Sequence, residues 1–428
     1  MNIQEIHNLF LKCKSLSIDT RKIEKDSMFF AIKGENFDAN TFAKQALDLG
    51  ALYVVIDNES YFIDDRTILV QNSLETLQEL AKFHRAYLKL PIIALTGSNG
   101  KTTTKELINV VLSKKYKTKA TVGNLNNHIG VPLTLLSFNT ETEIGIVEMG
   151  ANHKKEIEFL CEIAQPDYGY ITNFGKAHLE GFGGVQGVIE GKSEMYQYLA
   201  KSDKLAFVNL EDPIQVEKSA GIKLFTFGVN NDKADLKIKG ITANPFVVIN
   251  YEDFSVESHL IGLYNSNNIN AAVSMGRYFK VNDEAVKEGI EGYVPENNRS
   301  QLLNKGSNQI ILDAYNANPS SMAVAIANFL QLDNQNKVMI LGDMFELGKE
   351  SYQEHKIIVE SLLNQNKSIC YLIGKSFYEN NISDENIRFF ETFEDFSNHL
   401  RTIHFENNTI LIKGSRGMAL ERTLEYIS

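Results

Sequence analysis

The segment with the most chemical potential is a glycine-rich loop that carries a lysine and hydroxyl groups, TGSNGKTTT at residues 96–104. It follows the apolar run 91–95 and precedes a helix-like segment, KELINVVLSKKY. A strand, a glycine turn and a helix in this order point backbone N–H groups at a polyphosphate, while the lysine adds a cation and a hydroxyl can reach Mg²⁺. The usual glycine five residues before Gly100 is Leu95 here. The loop therefore predicts nucleotide binding in a shortened form; the alternative is an ordinary glycine turn capped by Ser98 or Thr102.

Two further side chains follow apolar runs that have the character of strands. Glu148 ends the run IGIV, and His178 lies in the glycine-containing loop after the run YGYI. Ligands bind at the carboxyl edge of open α/β sheets, so a carboxylate after the next strand is suited to hold Mg²⁺. The histidine could bind a metal or a substrate. The alternative for Glu148 is a solvated carboxylate near a helix start, and the alternative for His178 is a hydrogen-bonded loop histidine. Lys192, taken alone, would be a surface lysine.

Composition restricts the class of protein. The chain has 428 residues, 43% hydrophobic and 23% charged, with a net charge of −11, which disfavours a general nucleic-acid or membrane-surface binder. Its three cysteines are scattered and form no CxxC pair, as expected in a reducing compartment. The N-terminal residues read as a short amphipathic helix without a signal-peptide pattern, and no apolar run reaches the ~18–20 residues of a membrane span. We expect a cytoplasmic monomer.

The elements that must position these residues fall into three α/β units. Short apolar runs alternate with helix-like stretches throughout, which predicts βαβ units and mainly parallel sheets. The first unit covers residues 1–90, the second 91–294 and the third 295–428, with the proline-containing break at 294–298 as a hinge. The third unit is predicted to be a separate open α/β domain.

Several longer stretches occur together with these motifs. They are GNLNNHIGVPLT at 123–134, DAYNANPSSM at 313–322, LGDMFELG at 341–348 and KGSRGM at 413–418. With TGSNGKTT, Glu148 in an EMG triplet and His178 in an NxxxAHL stretch, the chain resembles the Mur ligases, the ATP-dependent amide-forming family of peptidoglycan synthesis. The resemblance covers nearly the whole chain. It implies an N-terminal UDP-substrate domain, a central P-loop ATPase-like domain with a parallel sheet, and a C-terminal Rossmann-like domain.

The resemblance also implies roles for the matching residues. Lys101, His178 and Lys192 would be catalytic, and Lys192 falls where the family carries a carbamylated lysine. The implied Mg²⁺ ligands are Thr102, Glu148, His178 and Lys192. The implied ATP-binding residues are Gly97, Ser98, Asn99, Gly100, Lys101, Thr102, Thr103, Asn268, Arg299, Asp313, Tyr315 and Asn316. Without the family, Asp313 could equally be a helix N-cap.

The implied substrate-side residues lie in the first unit and in the loop before residue 130. They are Ser17, Asp19, Arg21, Gly34, Asp38, Asn126, Asn127 and Gly130. The chain departs from the family pattern at four positions, where it has Thr20, Asn40, His128 and Tyr264. Thr20 keeps the hydroxyl of the serine it replaces, whereas no role is assigned to the other three.

The implied reaction is the ATP-dependent addition of D-alanyl-D-alanine to UDP-N-acetylmuramoyl-tripeptide through an acyl phosphate, with Mg²⁺. The third residue of the peptide is left open. The alternatives are another amino-acid-adding ligase of this type or a folylpolyglutamate synthetase-like enzyme, and a non-catalytic nucleotide-binding regulator. The stretches DAYNANPSSM and LGDMFELG favour the first interpretation over the other ligases.

Overall fold

The computed structural model describes residues 1–334, 336–363 and 368–427. Three main β-sheets follow one another along the chain, with four, nine and six strands, and helices lie between the strands in sequence. The predicted α/β class with three domains is confirmed. The domain limits 1–90, 91–294 and 295–428 stay a prediction.

The N-terminal domain has a small parallel sheet in the order β1-β2-β5-β6, and β3 and β4 form a separate hairpin. The central strand β2 is buried on both faces. The strands are β1 Leu16–Ser17, β2 Met28–Phe30, β3 Lys33–Gly34, β4 Phe37–Asp38, β5 Tyr53–Ile56 and β6 Thr67–Leu69, and the helices are α1 Ile3–Phe10, α2 Ala43–Asp48 and α3 Ser73–Leu88. Short 3-10 helices lie at Thr20–Lys22, Ala39–Phe42 and Glu59–Tyr61.

The central domain has nine strands in the order β15-β14-β13-β12-β11-β10-β7-β9-β8. The strands are β7 Ile92–Thr96, β8 Thr118–Ala120, β9 Ile144–Glu148, β10 Tyr168–Ile171, β11 Leu205–Asn209, β12 Lys223–Val229, β13 Leu236–Ala243, β14 Phe246–Tyr251 and β15 Ser255–Ile261. The helices are α4 Lys101–Leu112, α5 Gly130–Ser137, α6 Glu156–Ala164, α7 Leu179–Phe182, α8 Val185–Lys201, α9 Pro213–Lys218, α10 Asn265–Tyr278 and α11 Asp283–Glu291.

The C-terminal domain has six strands in the order β16-β17-β21-β18-β19-β20, of which only β16 is antiparallel to its neighbour. The strands are β16 Gln301–Lys305, β17 Asn308–Asp313, β18 Lys337–Gly342, β19 Ser368–Ile373, β20 Ile387–Phe390 and β21 Thr409–Lys413. The helices are α12 Pro319–Gln331, α13 Ser351–Leu362, α14 Lys375–Tyr378 and α15 Phe393–Leu400, with 3-10 helices at Gly348–Glu350, Arg416–Met418 and Leu420–Tyr426.

The central strands β7, β9 and β10 bring the predicted site residues to one edge. All three are parallel neighbours, and every residue of β7 and β9 is buried because helices cover both faces of the sheet. Glu148 is the last residue of β9, and the glycine-rich loop and the loop with His178 follow the carboxyl ends of β7 and β10. The sheet therefore gathers residues that lie about 80 positions apart in sequence.

One part of the central sheet differs from the predicted alternation of strands and helices. Strands β13, β14 and β15 form an antiparallel meander with no helix between them. Residues alternate between buried and exposed along β15, so only one of its faces is covered. Alternating burial of this kind is typical of an antiparallel edge, which does not need a crossover helix.

Helix α3 packs against both the N-terminal and the central domain. Arg85 donates to the carbonyls of Ala164 and Gln165 at 3.1 Å and pairs with Asp167 at 2.8 Å. His84 Nε2 lies 3.0 Å from the carbonyl oxygen of Phe138. These buried polar contacts join the first two domains. Within the described part of the chain, no helix has the length and apolar character needed to cross a membrane.

Candidate nucleotide-binding and ligation site

A cavity of about 780 Å³ lies between the central and C-terminal domains. Its walls come from the glycine-rich loop, the loop before α5, the ends of β9 and β10, and the residues around β17. It contains most of the predicted site residues but none from residues 1–90. The predicted residues among its lining are Ser98, Asn99, Gly100, Lys101, Thr102, Thr103, Asn126, Asn127, Glu148, His178, Asn268, Arg299, Asp313, Tyr315 and Asn316.

The glycine-rich loop leaves β7 through two glycines with positive φ. Gly97 has φ +140°, and a Cβ there would lie 2.0 Å from Thr172 Oγ1. Gly100 has φ +80°, and a Cβ there would lie 2.5 Å from Asn268 Oδ1. Other residues would be strained and would collide at both positions. The loop is further tied to β10, because Asn99 N donates to Asn173 Oδ1 at 3.2 Å.

Lys101 begins helix α4 and folds back over the loop. Its Nζ donates to the carbonyl oxygens of Gly97 at 2.7 Å and Ser98 at 3.4 Å. Burial lowers the pKa of Lys101, and Glu148 opposes that shift. The ammonium thus lies on the loop that leads into α4, whose N-terminus favours an anion.

Thr102 and Glu148 are directly paired. Thr102 Oγ1 donates to Glu148 Oε2 at 2.9 Å, and Asn126 Nδ2 donates to Glu148 Oε1 at 2.8 Å. Glu148 is 1% exposed, so the alternative of a solvated carboxylate is wrong. A hydroxyl and a carboxylate are hard oxygen donors of the kind Mg²⁺ takes alongside water and substrate phosphates. The donor set therefore fits this ion.

His178 lies in the same cavity and meets the C-terminal domain. Its Nδ1 is in contact with Glu346 Oε2, and this contact lowers the pKa of the Glu346 carboxyl. Within the residues that the structure describes, no three His, Cys, Asp or Glu side chains form a group that could hold a metal by themselves. An ion here would depend on phosphate oxygens and water as well.

Lys192 is a buried residue of α8, so the expectation of a surface lysine is wrong. It is 1% exposed, and its Nζ donates to the carbonyl of Ala151 at 3.1 Å and lies 5.0 Å from the centre of the Phe182 ring. Burial, with a smaller effect of Lys101, lowers the pKa of Lys192 well below its ordinary value. Ala151 lines the cavity, and Lys192 lies behind it without being part of the lining.

The C-terminal domain contributes a stacked pair and an ion pair. The Arg299 guanidinium lies 3.4 Å from the centre of the Tyr315 ring. Asp313 pairs with the buried Lys413 at 2.6 Å and accepts a hydrogen bond from Ser300 N at 3.1 Å. Asp313 therefore ends β17 without capping a helix, and the N-cap of α12 is Asn318.

Asn268 and Tyr264 lie on the central domain at the border of the cavity. Asn268 Oδ1 accepts a hydrogen bond from Thr104 at 3.0 Å, and its Nδ2 donates to Asn265 at 2.8 Å, so its amide supports the glycine-rich loop. Tyr264 is hydrogen-bonded to Ser300 Oγ at 2.6 Å. Tyr264, which departs from the family pattern, thus links the central domain to the segment that leads into β16.

The loop before α5 has mixed roles. Asn126 lines the cavity and holds Glu148, whereas Asn127 Oδ1 accepts from the N–H groups of Ile129 and Gly130 at the start of the helix. Gly130 does not line the cavity. A Cβ there would lie 2.2 Å from the backbone of Leu125, so close backbone packing explains the glycine.

The predicted residues of the N-terminal domain form two clusters outside this cavity. Arg21 pairs with Asp19 at 2.8 Å, and the hydrogen bonds from Arg21 lower the pKa of Asp19 to about 2. Ser17 Oγ donates to the carbonyl of Asp19 at 2.9 Å. Gly34 and Asp38 lie on the β3–β4 hairpin.

Asn40 connects the second of these clusters to the domain core. Its side chain is buried and donates to Asp38 and Asp57, both at 2.7 Å. This position, to which the sequence assigned no role, therefore orients Asp38.

Sequence reasoning did not single out several cavity residues. Asn318 Nδ2 donates to Asn99 Oδ1 at 2.7 Å, and Lys176 N donates to Ser320 Oγ at 2.6 Å. Asn318, Ser320 and Lys413 lie inside stretches already noted as motifs, so their positions carried a signal but their partners did not. These contacts hold the C-terminal domain against the glycine-rich loop.

Comparison with known families matches three consecutive segments. Residues 12–85 match the Mur ligase family catalytic domain, 95–276 the Mur ligase middle domain, and 298–416 the Mur ligase glutamate ligase domain. The fold and site thus define a three-domain, P-loop ligase architecture. The chain belongs to the Mur ligase family.

Individual relatives agree over nearly the full length. The UDP-N-acetylmuramoyl-tripeptide–D-alanyl-D-alanine ligase of Bacillus subtilis is 33% identical, over 96% of this chain and 92% of that protein. The enzyme of the same name from Escherichia coli K12 is 30% identical, over 99% and 95%. Among solved structures, MurF from Acinetobacter baumannii superposes with a TM-score of 0.85 at 30% identity, over 99% and 97%. The MurF ligase of Thermotoga maritima, solved in complex with ADP, has a TM-score of 0.84 at 27% identity, over 97% of each chain.

Proposed function

We propose that this protein is an ATP-dependent ligase that joins D-alanyl-D-alanine to UDP-N-acetylmuramoyl-tripeptide in peptidoglycan synthesis. The observation that carries the proposal is the single cavity in which the P-loop, the Thr102–Glu148 pair and the Arg299–Tyr315 pair face one another. Near full-length relatives at about 30% identity that bear this name support it. The enzyme works in the cytoplasm, where ATP and the nucleotide-linked precursor are both available.

The reaction has two steps. The terminal carboxylate of the tripeptide attacks the γ-phosphorus of ATP, which releases ADP and leaves an acyl phosphate. The free amine of D-alanyl-D-alanine then attacks the acyl carbon, and the tetrahedral intermediate expels phosphate and loses a proton to give the amide. Both steps crowd negative charge, so fixed cations and backbone dipoles supply most of the stabilisation.

The residues divide this work by position. The amides of residues 97–103 bind the phosphates, and Lys101 exchanges its contacts with Gly97 and Ser98 for the β- and γ-phosphate oxygens. Arg299 and Tyr315 hold the nucleotide from the C-terminal side. Thr102, Glu148 and His178 would hold Mg²⁺, which neutralises phosphate charge when it is bound. Closure of the cavity keeps water from the acyl phosphate.

Lys192 has a separate role in this proposal. Burial favours the neutral amine of Lys192. The nitrogen lone pair can add to CO₂, and the nitrogen then loses a proton to give a carbamate. The product is an anion beside the cavity wall at Ala151. The carbamate would complement Glu148 and His178 in holding Mg²⁺.

UDP-N-acetylmuramoyl-tripeptide binds from the N-terminal domain into the cavity. The Ser17–Asp19–Arg21 and Gly34–Asp38 clusters take the uridine nucleotide end, and Asn126 and Asn127 face the peptide end. We expect the protein to act as a monomer, because residues of the central and C-terminal domains of one chain line the cavity.

One incubation tests the function. The protein is mixed with ATP, Mg²⁺, the UDP-tripeptide and D-alanyl-D-alanine, and phosphate release and product mass are measured. We expect one phosphate to be released per pentapeptide product. Without the dipeptide we expect neither phosphate release nor product. Product with a single amino acid in place of the dipeptide would favour another ligase of the family, and nucleotide binding without product would favour a regulator.

A further inference from the structure

Two residues with left-handed backbone conformations meet across the interface of the central and C-terminal domains. His178 has φ +52° and Glu346 has φ +62°, and residues other than glycine rarely adopt this backbone region. His178 Nδ1 is in contact with Glu346 Oε2, and both residues line the cavity. Strained residues persist where the surrounding structure holds them, often at functional sites.

The loop that carries Glu346 is held in place from both sides. Met344 N donates to His355 Nε2 at 3.0 Å, and Phe345 N donates to Ser415 Oγ at 2.8 Å. Its far end meets the central domain, because Glu180 N donates to the Glu346 carbonyl at 3.3 Å. The carboxylate of Glu346 is therefore presented to His178 by a fixed loop.

The contact determines which nitrogen of His178 carries the proton. An ionised carboxylate only accepts hydrogen bonds, so Glu346 favours the tautomer of His178 with the proton on Nδ1 and the lone pair on Nε2. A carboxylate that orients a histidine in this way raises its basicity and fixes its tautomer for a metal ion. The partner here comes from a different domain than the histidine.

We propose that Glu346 is a positioning residue of the C-terminal domain that makes His178 competent to bind Mg²⁺ only when the two domains are closed. The proposal rests on the assignment of His178 as a metal ligand made above. Nucleotide binding to the C-terminal domain and metal binding to the central domain are thereby coupled. An open enzyme would hold the ion weakly and would not activate the tripeptide carboxylate.

The interface offers a matched control. Lys176 lies two residues before His178, and its Nζ pairs with Glu354 Oε1 at 2.5 Å. Glu354 thus pairs with the lysine and not with the histidine. Glu354→Gln therefore removes a polar contact between the same two domains and leaves the His178 contact intact. Glu346→Gln keeps an oxygen that can accept from Nδ1, whereas Glu346→Ala removes it.

The test measures Mn²⁺ binding to the full-length protein with ADP, by the paramagnetic resonance of the free ion. We expect Glu346→Ala to weaken Mn²⁺ binding about 10–100-fold, as loss of an outer partner of a ligating histidine does. Glu346→Gln should lose less, and Glu354→Gln should bind as the wild type. In the His178→Ala background, Glu346→Ala should have no further effect.

Three results would overturn the proposal. They are wild-type Mn²⁺ binding by Glu346→Ala, an equal loss in Glu354→Gln, and additive losses in the double variant. The second would reduce the contact to general domain docking. Because the measurement is of ion binding and not of product, its outcome is separate from the test of the ligase reaction.

Discussion

At the scale of single residues, Lys101 is the cation that we expect to meet the phosphates of ATP. Lys101→Ala removes the ammonium that lies over Gly97 and Ser98, and its side chain is not part of an apolar core. We expect turnover to fall about 10²–10³-fold, since a cation aimed at developing phosphoryl charge has an effect of this size. Phosphate release is the measurement, and an unchanged thermal melting curve is the control. Near wild-type release by the folded variant would contradict the P-loop assignment.

Lys192 gives the second prediction at this scale. Lys192→Ala removes the amine and with it the proposed carbamate, so we expect loss of ligation. A short carboxylic acid added to the assay should restore part of the activity, because it supplies the missing anion in the space left by the side chain. Lys201→Ala, an exposed lysine of the same helix, is the control. Full activity of Lys192→Ala without added acid would contradict the carbamate.

At the scale of elements, a buried histidine pair joins helices α1 and α3 to the central domain. His7 Nε2 lies 3.0 Å from His84 Nδ1, and His84 Nε2 lies 3.0 Å from the carbonyl of Phe138. Because a carbonyl only accepts, His84 donates from Nε2 and accepts from His7. Burial lowers the pKa of both His7 and His84, which favours the neutral form of both rings.

The pair predicts a loss of stability in acid. Burial, with a smaller effect of His84, lowers the pKa of His7 to about 4, while the ordinary value is 6.5. Below 6.5 the unfolded chain takes up a proton that the folded chain does not, so this contribution to stability is lost as pH falls from about 6.5 to 4. His7→Gln should flatten the dependence of melting temperature on pH in this range. His259→Gln, an exposed histidine, should not; equal slopes for His7→Gln and the wild type would contradict the prediction.

At the scale of the whole molecule, the proposed nucleotide site is shared between the central and C-terminal domains, which both line the cavity. Arg299→Ala removes the guanidinium stacked on Tyr315 from the C-terminal side of the cavity. We expect KM for ATP to rise about tenfold, which corresponds to about 1.4 kcal/mol. Binding of the UDP-tripeptide, measured by calorimetry, should change little because we place its main contacts in residues 1–90.

Arg422 provides the control for this effect. Its guanidinium is stacked on Phe393 at 3.6 Å, in the same domain but away from the cavity. Arg422→Ala should leave KM for ATP unchanged. A similar rise in both variants would show that Arg299 acts through the stability of its domain and not through the nucleotide.

The sequence by itself determined the local features of this protein. Apolar runs with a period suited to strands predicted β7, β9 and β10, and the spacing of Gly97, Gly100 and Lys101 predicted the phosphate-binding loop, because these signals depend only on neighbouring residues. Only the tertiary structure decided which distant groups meet: Glu148 with Thr102, Asp313 with Lys413, and His178 with Glu346. The charge and helical position of Lys192 suggested a surface residue, but the structure shows that Lys192 is buried behind Ala151. The physical reason is that burial and pairing arise from the packing of sheets and domains, which brings together residues far apart in the chain and has no signature within a short segment.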